Sequence, residues 1–516
     1  MGDKAAFQQT IGDGYVFKGE QFTLGAAMLE GEILTGTLVG VPLRTLNRHG
    51  LIAGATGTGK TKTLQVLAEG LSRASVPVLM MDIKGDLSGL AAAGEASDKV
   101  RERMGHIGAG EFHPEAFPVE LMTLSKEPGV RLRSTVSEFG PVLMSKILGL
   151  NDTQEGVVSM LFKYCDDHTL PLLDLKDFTR LLQFASNEGK KELEAEYGKI
   201  STTSTGTILR KVIELQQQGA EQFFGEPSFE VNDLMRISED GRGIINMLRV
   251  TDMQNRPKLF STFMLGLLAE LYAQLPEEGD MDKPKLVMFI DEAHLIFQEA
   301  TDALLQQIET VIKLIRSKGV GIFFCTQNPQ DIPAPVLSQL GLKVQHALRA
   351  FTAADRKTIK QAADNYPVTE FYKVDELITQ MGIGEAFVTL LNEKGIPTPL
   401  VHTCLLAPSS RMDVLSDAEI GQLIGKSALV KKYAEDIDSQ SAFEILSAKL
   451  EAAASQAEEE KAEKKAAKAA PKEESIFDDP AFRQAKRTAA SILTRSLLGA
   501  LGLSGTRRRK TKGLFG

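Results

Sequence analysis

Short apolar runs alternate with amphipathic segments along most of the chain. Five runs are largely apolar, as expected for strands buried on both faces of a parallel sheet, at residues 49–53, 77–83, 243–248, 285–290 and 320–325. Between them, helical spacing of apolar residues, for example over 257–274 and 300–317, predicts helices. This alternation indicates an α/β fold with a mostly parallel sheet. Later segments at 386–391 and 400–406 flank a polar turn and predict a hairpin added at the sheet edge.

Changes in this pattern predict how the chain is organised. Residues 1–48 alternate weakly and are rich in glycine, so they predict a short N-terminal β segment. Residues 49–445 carry the α/β pattern, with a helical insertion at about 132–240. A charged linker of Ala, Glu and Lys follows at 446–475, and a basic amphipathic helical tail occupies 476–516.

The C-terminal tail has apolar residues on one helical face and arginine and lysine on the other. Such a helix can bind a membrane surface, a nucleic acid or a groove on a protein partner. The alternative is docking on the chain's own α/β domain or on a neighbouring subunit, and the sequence favours docking.

Composition and charge describe an ordinary soluble protein. Hydrophobic residues make up 43% of the chain and charged residues 25%, and the net charge is −9, so the molecule as a whole is not a basic nucleic-acid binder. The net charge does not exclude a local basic channel, because the electrostatic field that a ligand meets is local. The three cysteines have no metal-ligand spacing. The small number of widely separated cysteines, with no signal peptide and no transmembrane run, predicts a cytoplasmic protein.

One glycine-rich stretch has the sequence context of a phosphate-binding loop, because it follows an apolar run and opens a helical pattern. Glycines let backbone N–H groups point at phosphates, and the helix N-terminus adds positive potential. Lys60 is expected on the β- and γ-phosphates, and the Thr61 hydroxyl on Mg²⁺. The expected nucleotide-binding residues are Gly54, Ala55, Thr56, Gly57, Thr58, Gly59, Lys60, Thr61 and Lys62.

A second acidic motif predicts hydrolysis as well as binding. Asp291 and Glu292 end the apolar run 285–290, so Asp291 is expected to hold Mg²⁺ and its water shell, and Glu292 to act as general base. A simple strand terminus is the alternative. His294 is expected to be structural.

Two further groups of residues leave alternatives open. Asp82, Lys84 and Asp86 follow the run 77–83, and they either shape the nucleotide site or form a solvated turn. Gln327 ends the run 320–325 as either a sensor of the γ-phosphate or a buried polar strand end. Arg316 precedes that run, at the opposite sheet edge, as either an arginine finger acting in trans or an exposed helix-terminal cation.

The order of these motifs resembles the HerA/FtsK superfamily of P-loop ATPases, and in particular the bacterial HerA-like family of the YjgR type. The resemblance rests on 46–53 with the phosphate loop, 82–89, 291–297 and 384–386. It implies a RecA-like core that assembles as a hexameric ring and uses ATP and Mg²⁺. It also implies Lys60, Glu292 and Gln327 as catalytic residues, with Arg316 acting in trans.

Three functions follow as hypotheses. The first is an ATP-driven ring motor that translocates or remodels double-stranded DNA. The second is an ATP-dependent switch or scaffold that assembles protein partners through the insertion and the tail, without DNA translocation. The third is a small-molecule phosphotransferase, and Glu292 argues against it, because phosphotransferases usually lack this second acid.

Overall fold

Twelve strands of the described residues form one sheet, and eight of them run parallel. The computed structural model describes residues 4–125, 127–251, 256–279, 281–297, 302–350, 352–435, 437–452 and 455. The chain divides into two compact units, residues 1–447 and 448–516. The predicted tail at 476–516 and most of the linker at 446–475 lie outside the described residues.

Five of the strands coincide with the five predicted apolar runs, whereas the strands at 119–123, 130–131 and 342–346 lie outside them. In chain order they are β1 (Gln21–Leu29), β2 (Glu32–Pro42), β3 (Gly50–Ala53), β4 (Val78–Asp82), β5 (Val119–Thr123), β6 (Val130–Arg131), β7 (Ile245–Arg249), β8 (Leu286–Ile290), β9 (Val320–Thr326), β10 (Leu342–His346), β11 (Glu385–Thr389) and β12 (Val401–Leu405). Every residue of β3, β4, β8 and β9 is buried, because apolar side chains cover both faces of the sheet. The predicted α/β class with a mostly parallel sheet is confirmed.

The strand order explains how distant parts of the chain meet. The sheet runs β2-β1-β12-β11-β10-β3-β9-β8-β4-β7-β5-β6, and the strands from β10 to β6 are parallel. Strands β3, β9, β8 and β4 are therefore neighbours, and their carboxyl ends lie at one edge. Loops at that edge form the crevice in which open α/β sheets bind ligands.

The helices of the described residues cover this sheet. They include α1 (Lys4–Gly14), α2 (Lys60–Arg73), α3 (Asp98–Ile107), α4 (Val136–Leu148), α5 (Asp152–Asp167), α6 (Leu175–Ser186), α7 (Lys190–Tyr197), α8 (Thr202–Gln217), α9 (Pro257–Gln274), α10 (His294–Phe297), α11 (Asp302–Ile315), α12 (Ala334–Leu337), α13 (Ala353–Ala363), α14 (Val374–Gln380), α15 (Asp417–Lys426) and α16 (Ala428–Tyr433). Within the described ranges, no helix combines the length and the apolar character that crossing a bilayer requires.

Helices α4 to α8 separate β6 from β7, in the region predicted as a helical insertion. Side-chain caps start them: Thr135 and Asn151 form capping boxes for α4 and α5, and Asp174 forms one for α6. Apolar residues of these helices, such as Leu161 and Phe178, join the same core as Leu79 of β4. This shared core holds the inserted helices against the sheet.

The hairpin predicted over 386–391 and 400–406 forms from β11 and β12, but its expected position at the sheet edge is wrong. Strand β12 pairs with β1, so the hairpin lies inside the sheet and β2 forms the edge. The close approach depends on Gly25, because a Cβ there would lie 2.1 Å from the Cys404 carbonyl oxygen. Only the tertiary structure provides this pairing between the two ends of the domain.

A buried histidine fixes the start of β3, the strand that leads into the phosphate loop. His49 Nε2 donates to the Ile312 carbonyl oxygen at 2.8 Å, and its Nδ1 accepts from the Ile322 N–H at 3.0 Å. His49 is 2% exposed, and burial lowers its pKa to about 4. The neutral ring satisfies both bonds, whereas a proton on Nδ1 would break the bond from Ile322.

This pairing predicts a pH-dependent stability. Because the folded pKa of His49 lies below the unfolded value, the unfolded state takes up the proton first, and stability falls as pH drops from about 6.5 toward 4. Between pH 7 and pH 5 the free energy of unfolding decreases by ~2 kcal/mol. Thermal melting at the two pH values should show a smaller drop in Tm for His49→Asn than for the wild type. His106→Asn, on the exposed face of α3, is the control. An equal drop in all three proteins would contradict the assignment.

Candidate functional site

The phosphate loop follows β3 directly and leads into α2, as its sequence predicts. Two hydrogen bonds fasten its first residues to neighbouring strands: Gly54 N–H donates to the Thr326 carbonyl oxygen at 3.2 Å, and Ala55 N–H donates to the Ala347 carbonyl oxygen at 2.8 Å. The Thr58 hydroxyl closes the turn by donating to the Ala55 carbonyl oxygen at 2.7 Å. The loop is therefore held at the carboxyl edge of the sheet before any ligand binds.

Two of its glycines are required by geometry. A Cβ at Gly54 would lie 2.5 Å from His346 Cβ, which is closer than two non-bonded carbon atoms can approach. Gly59 caps α2 with a φ of 110°, a conformation that L side chains rarely adopt. A larger residue at Gly54 or Gly59 would shift the loop.

Lys60 lies at the mouth of the loop. Its Nζ donates to the carbonyl oxygens of Gly54 and Ala55 at 2.6 and 3.1 Å. The residue is 6% exposed, and burial lowers the pKa of its ammonium. Its position at the N-terminus of α2 is one that favours phosphate groups.

The turn after β4 is bonded to the phosphate loop, which argues against the alternative of a solvated turn for Asp82, Lys84 and Asp86. The Asp82 carboxylate accepts hydrogen bonds from the N–H groups of Gly85, Asp86 and Leu87 at 2.7, 3.1 and 3.3 Å, which fixes the turn. Asp86 Oδ2 accepts from the Thr61 hydroxyl at 3.2 Å. The turn is thus bonded to the phosphate loop and is not a free solvated loop.

Asp291 and Glu292 follow β8, and Lys84 contacts both. Lys84 Nζ is 3.5 Å from Asp291 Oδ2 and 2.5 Å from Glu292 Oε1. Burial raises the pKa of Asp291, and the Lys84 charge opposes that rise. Burial lowers the pKa of Lys84, but the two carboxylates outweigh it and hold the pKa above its ordinary value. Lys84 therefore places one positive charge beside two adjacent acidic side chains.

The oxygen atoms of this site fit a magnesium ion. Thr61, Asp86 and Asp291 offer hydroxyl and carboxylate oxygens, the donors that Mg²⁺ prefers. In the described part of the chain, Asp86 Oδ1 and Glu292 Oε2 are buried without a hydrogen-bond partner. Buried carboxylate oxygens without donors are suited to a cation and its water shell. His294, expected to be structural, brings Nδ1 to 3.2 Å from Glu292 Oε2.

Gln327 follows β9 at the same edge. The preceding residue, Thr326, pairs with Ala53 in the parallel register of β9 and β3, so Gln327 is level with the start of the phosphate loop. Its side chain is exposed, which argues against the alternative of a buried polar strand end.

Arg316 is remote from that edge. It starts the short 3₁₀ helix Arg316–Lys318, which precedes β9, and its side chain is exposed. The seven residues of β9 separate it from Gln327, a span of roughly 23 Å at the usual rise per residue. Within one chain Arg316 therefore stands apart from the phosphate loop.

The structure adds contacts to the loop and α2 that the sequence pattern does not predict. His346 Nε2 lies 2.9 Å from the Thr63 hydroxyl, and the buried ring has its pKa lowered to about 3 by desolvation. Gly384 N–H donates to the Thr58 carbonyl oxygen at 3.0 Å. Lys62 Nζ donates to the Met412 carbonyl oxygen, so its ammonium is engaged away from the loop. These partners come from later segments that fold over α2 and the loop.

The family match and two similar curated proteins are all described as helicases. The chain matches the family described as helicase HerA-like C-terminal over residues 29–509. It is 22% identical to the DNA double-strand break repair helicase HerA of Sulfolobus acidocaldarius, over 66% of this chain and 64% of the relative. It is 23% identical to the probable helicase MJECL08 of Methanocaldococcus jannaschii, over 66% and 63%. The chain thus spans just under two thirds of the length of these relatives.

Solved structures give the same fold. The bacterial conjugative coupling protein TrwB, without its first 70 residues, superposes with a TM-score of 0.50 and 14% identity over 79% of this chain and 94% of TrwB. TrwB with a non-hydrolysable ATP analogue superposes with the same TM-score over 77% and 93%. At this identity the likeness establishes the fold alone, which is that of RecA-like P-loop ATPases.

Two glycine substitutions test the packing of the loop. Gly57 has a φ of 78° and nothing within 4 Å of an added Cβ, so Gly57→Ala meets only backbone strain, ~1 kcal/mol. Gly54→Ala also collides with His346, which adds ~1–3 kcal/mol. Thermal melting without ligand should give a lower Tm for Gly54→Ala than for Gly57→Ala. Equal Tm values would mean that His346 does not limit the loop.

Proposed function

The chain belongs to the helicase HerA-like C-terminal family, and from this premise we propose that it is a Mg²⁺-dependent ATPase that drives a ring-shaped motor on double-stranded DNA. The observation that carries the proposal is the meeting of Lys60, Thr61, Asp291 and Glu292 at one sheet edge, with Lys84 joining the two acids. This set supplies phosphate binding, metal binding and a general base.

Each residue has a role that its position supports. Lys60 and the N–H groups of the loop bind the phosphates, and the Thr61 hydroxyl and Asp291 hold the metal. When bound, Mg²⁺ neutralises charge on the phosphate oxygens. Glu292 accepts a proton from the attacking water, and Gln327 orients that water or contacts the γ-phosphate. Free phosphate and ADP are the products.

ATP and Mg²⁺ are proposed on two grounds. The oxygen donors of Thr61, Asp86 and Asp291 suit Mg²⁺. A TrwB structure contains a non-hydrolysable ATP analogue, and another contains a GTP analogue, so base preference is a matter for measurement. A cytoplasmic location is proposed from the three free thiols, which are usual in reducing compartments.

A homo-oligomeric ring, hexameric in our proposal, would complete the site. Arg316 is exposed and lies at the sheet edge opposite the loop, so a neighbouring subunit is the partner through which it can contact a nucleotide. An arginine that stabilises the transition state is worth ~10³–10⁵ in rate. Double-stranded DNA is proposed as the substrate because relatives in this family are named as DNA double-strand break repair helicases.

Hydrolysis and its stimulation test the proposal. The wild-type chain with Mg²⁺ should hydrolyse ATP, and duplex DNA at low salt should raise the rate. Lys60→Ala should lose nucleotide binding. Glu292→Gln should bind nucleotide but turn over ~10²–10⁴-fold more slowly, because it lacks the general base. Glu278→Gln, which removes a charge beside Lys285, is the matched control.

The outcomes separate the parts of the proposal. DNA affinity should fall steeply with salt, because cations are released from the duplex. If duplex DNA neither binds nor stimulates, the DNA motor is rejected and an ATP-dependent switch on protein partners takes its place. Full turnover by Glu292→Gln would remove Glu292 from its role as base.

Mixed subunits test whether Arg316 acts in trans. Arg316→Ala and Glu292→Gln should each be nearly inactive alone. Mixed at equal amounts, they create sites with an intact Glu292 and a neighbour's Arg316, so about one quarter of wild-type activity should return if subunits mix at random. Lys313→Ala, an exposed cation at the end of α11, is the control and should stay active. The absence of any recovery across all mixing ratios would rule out action in trans.

A further inference from the structure

Lys84 lies between the phosphate loop and the two acids that follow β8. Its Nζ is 2.5 Å from Glu292 Oε1 and 3.5 Å from Asp291 Oδ2. The lysine side chain is 37% exposed, while the side chains of Asp291 and Glu292 are 5% and 10% exposed. The ammonium is therefore on the more accessible side of the acidic pair, where a ligand that enters from solvent can meet it.

The turn that carries Lys84 is fastened to the phosphate loop. Asp82 holds the turn from below through three N–H groups, and Gly85 has a φ of 76°, which gives the turn its sharp bend. Asp86, two residues after Lys84, accepts from the Thr61 hydroxyl. A change at Thr61 can therefore alter the position of Lys84 through the hydrogen bond from Thr61 to Asp86.

Glu292 depends on Lys84 for its position. In the described residues, Glu292 Oε2 makes no hydrogen bond, although His294 Nδ1 lies 3.2 Å away at ion-pair distance. Glu292 also has a φ of 45°, which is strained for a residue with a side chain. The hydrogen bonds of the Lys60 ammonium go to loop carbonyl oxygens and not to Glu292. Lys84 thus makes the shorter of the two charged contacts to the side chain of the proposed base.

We propose that Lys84 is a positioning residue that restrains Glu292 until the terminal phosphate of a nucleoside triphosphate competes for its ammonium. The inference rests on the proposed function and names a control step within that site. Phosphate oxygens form strong charge-assisted hydrogen bonds with ammonium groups. The arrival of a triphosphate then frees Glu292 to accept a proton from water, whereas a diphosphate leaves the restraint in place.

A lysine that only neutralised two buried acids would behave differently. Its loss would leave uncompensated buried charge, which would lower stability and affect every ligand alike. In the proposed restraint, Lys84 contacts only the terminal phosphate of the triphosphate. Glu292 competes with that phosphate for the Lys84 ammonium and so weakens triphosphate binding. The two roles therefore differ in how they discriminate ATP from ADP.

Binding measurements on the full chain separate these roles without turnover. Calorimetric titration with Mg²⁺ would compare ADP with the non-hydrolysable ATP analogue. The variants are Lys84→Met, Lys84→Arg, Glu292→Gln and the double variant Lys84→Met/Glu292→Gln. Lys343→Met is the matched control, because Lys343 is a part-buried lysine that donates to the Asn365 carbonyl oxygen away from the site.

The expected results concern the ratio of the two affinities. Lys84→Met should weaken the ATP analogue about tenfold and leave ADP within about twofold, and Lys84→Arg should restore much of the loss. Glu292→Gln should tighten the ATP analogue severalfold, because Lys84 is released, and the double variant should lose that gain. If Lys84→Met does not fold, Lys84→Gln replaces it in both backgrounds.

Three outcomes would overturn the inference: equal weakening of both ligands by Lys84→Met, no change in either affinity, or a gain from Glu292→Gln that persists in the double variant. Each would mean that Lys84 only neutralises the two acids or has no role in nucleotide discrimination. If the wild-type chain bound neither nucleotide, the proposed function itself would fail. If it bound and hydrolysed ATP but Lys84→Met kept the wild-type ratio, only the role of Lys84 would fail.

Discussion

The parallel pairing of β3, β9, β8 and β4 is the constraint on which the site depends. Parallel strands end at the same edge, so this pairing brings the phosphate loop, Gln327, the two acids and Lys84 together although they lie far apart in the sequence. The strands are buried on both faces, and a shift by one residue would move each of these groups away from its neighbours. The hydrophobic core thus sets the geometry of the polar site.

Charge balance is the second requirement of this edge. Asp291 and Glu292 are adjacent and buried, and two neighbouring carboxylates in such surroundings need a cation. Lys84 provides it in the structure, while Lys60 is bonded to its own loop. Phosphate and Mg²⁺ would bring new charges into this arrangement, so ligand binding in our proposal includes an exchange of ionic partners.

Two buried neutral histidines connect the loop to the scaffold. His49 fixes the beginning of β3 through bonds to Ile312 and Ile322, and His346 packs beneath Gly54 and contacts Thr63. Both have lowered pKa values because burial disfavours the charged ring. The loop is therefore positioned from below by uncharged groups, which leaves its positive potential directed toward a ligand.

Local spacing and apolar periodicity predict the α/β class, the loop from Gly54 to Thr61 and the acids at 291 and 292. The sequence does not decide the role of Lys84, because a charged residue after a strand has the same pattern in a binding site as in a solvated turn. Folding adds the contact of Lys84 with Glu292, the position of His346 under the loop and the pairing of β1 with β12. Those contacts join segments that are distant in the chain, and long-range pairing leaves no local pattern to read.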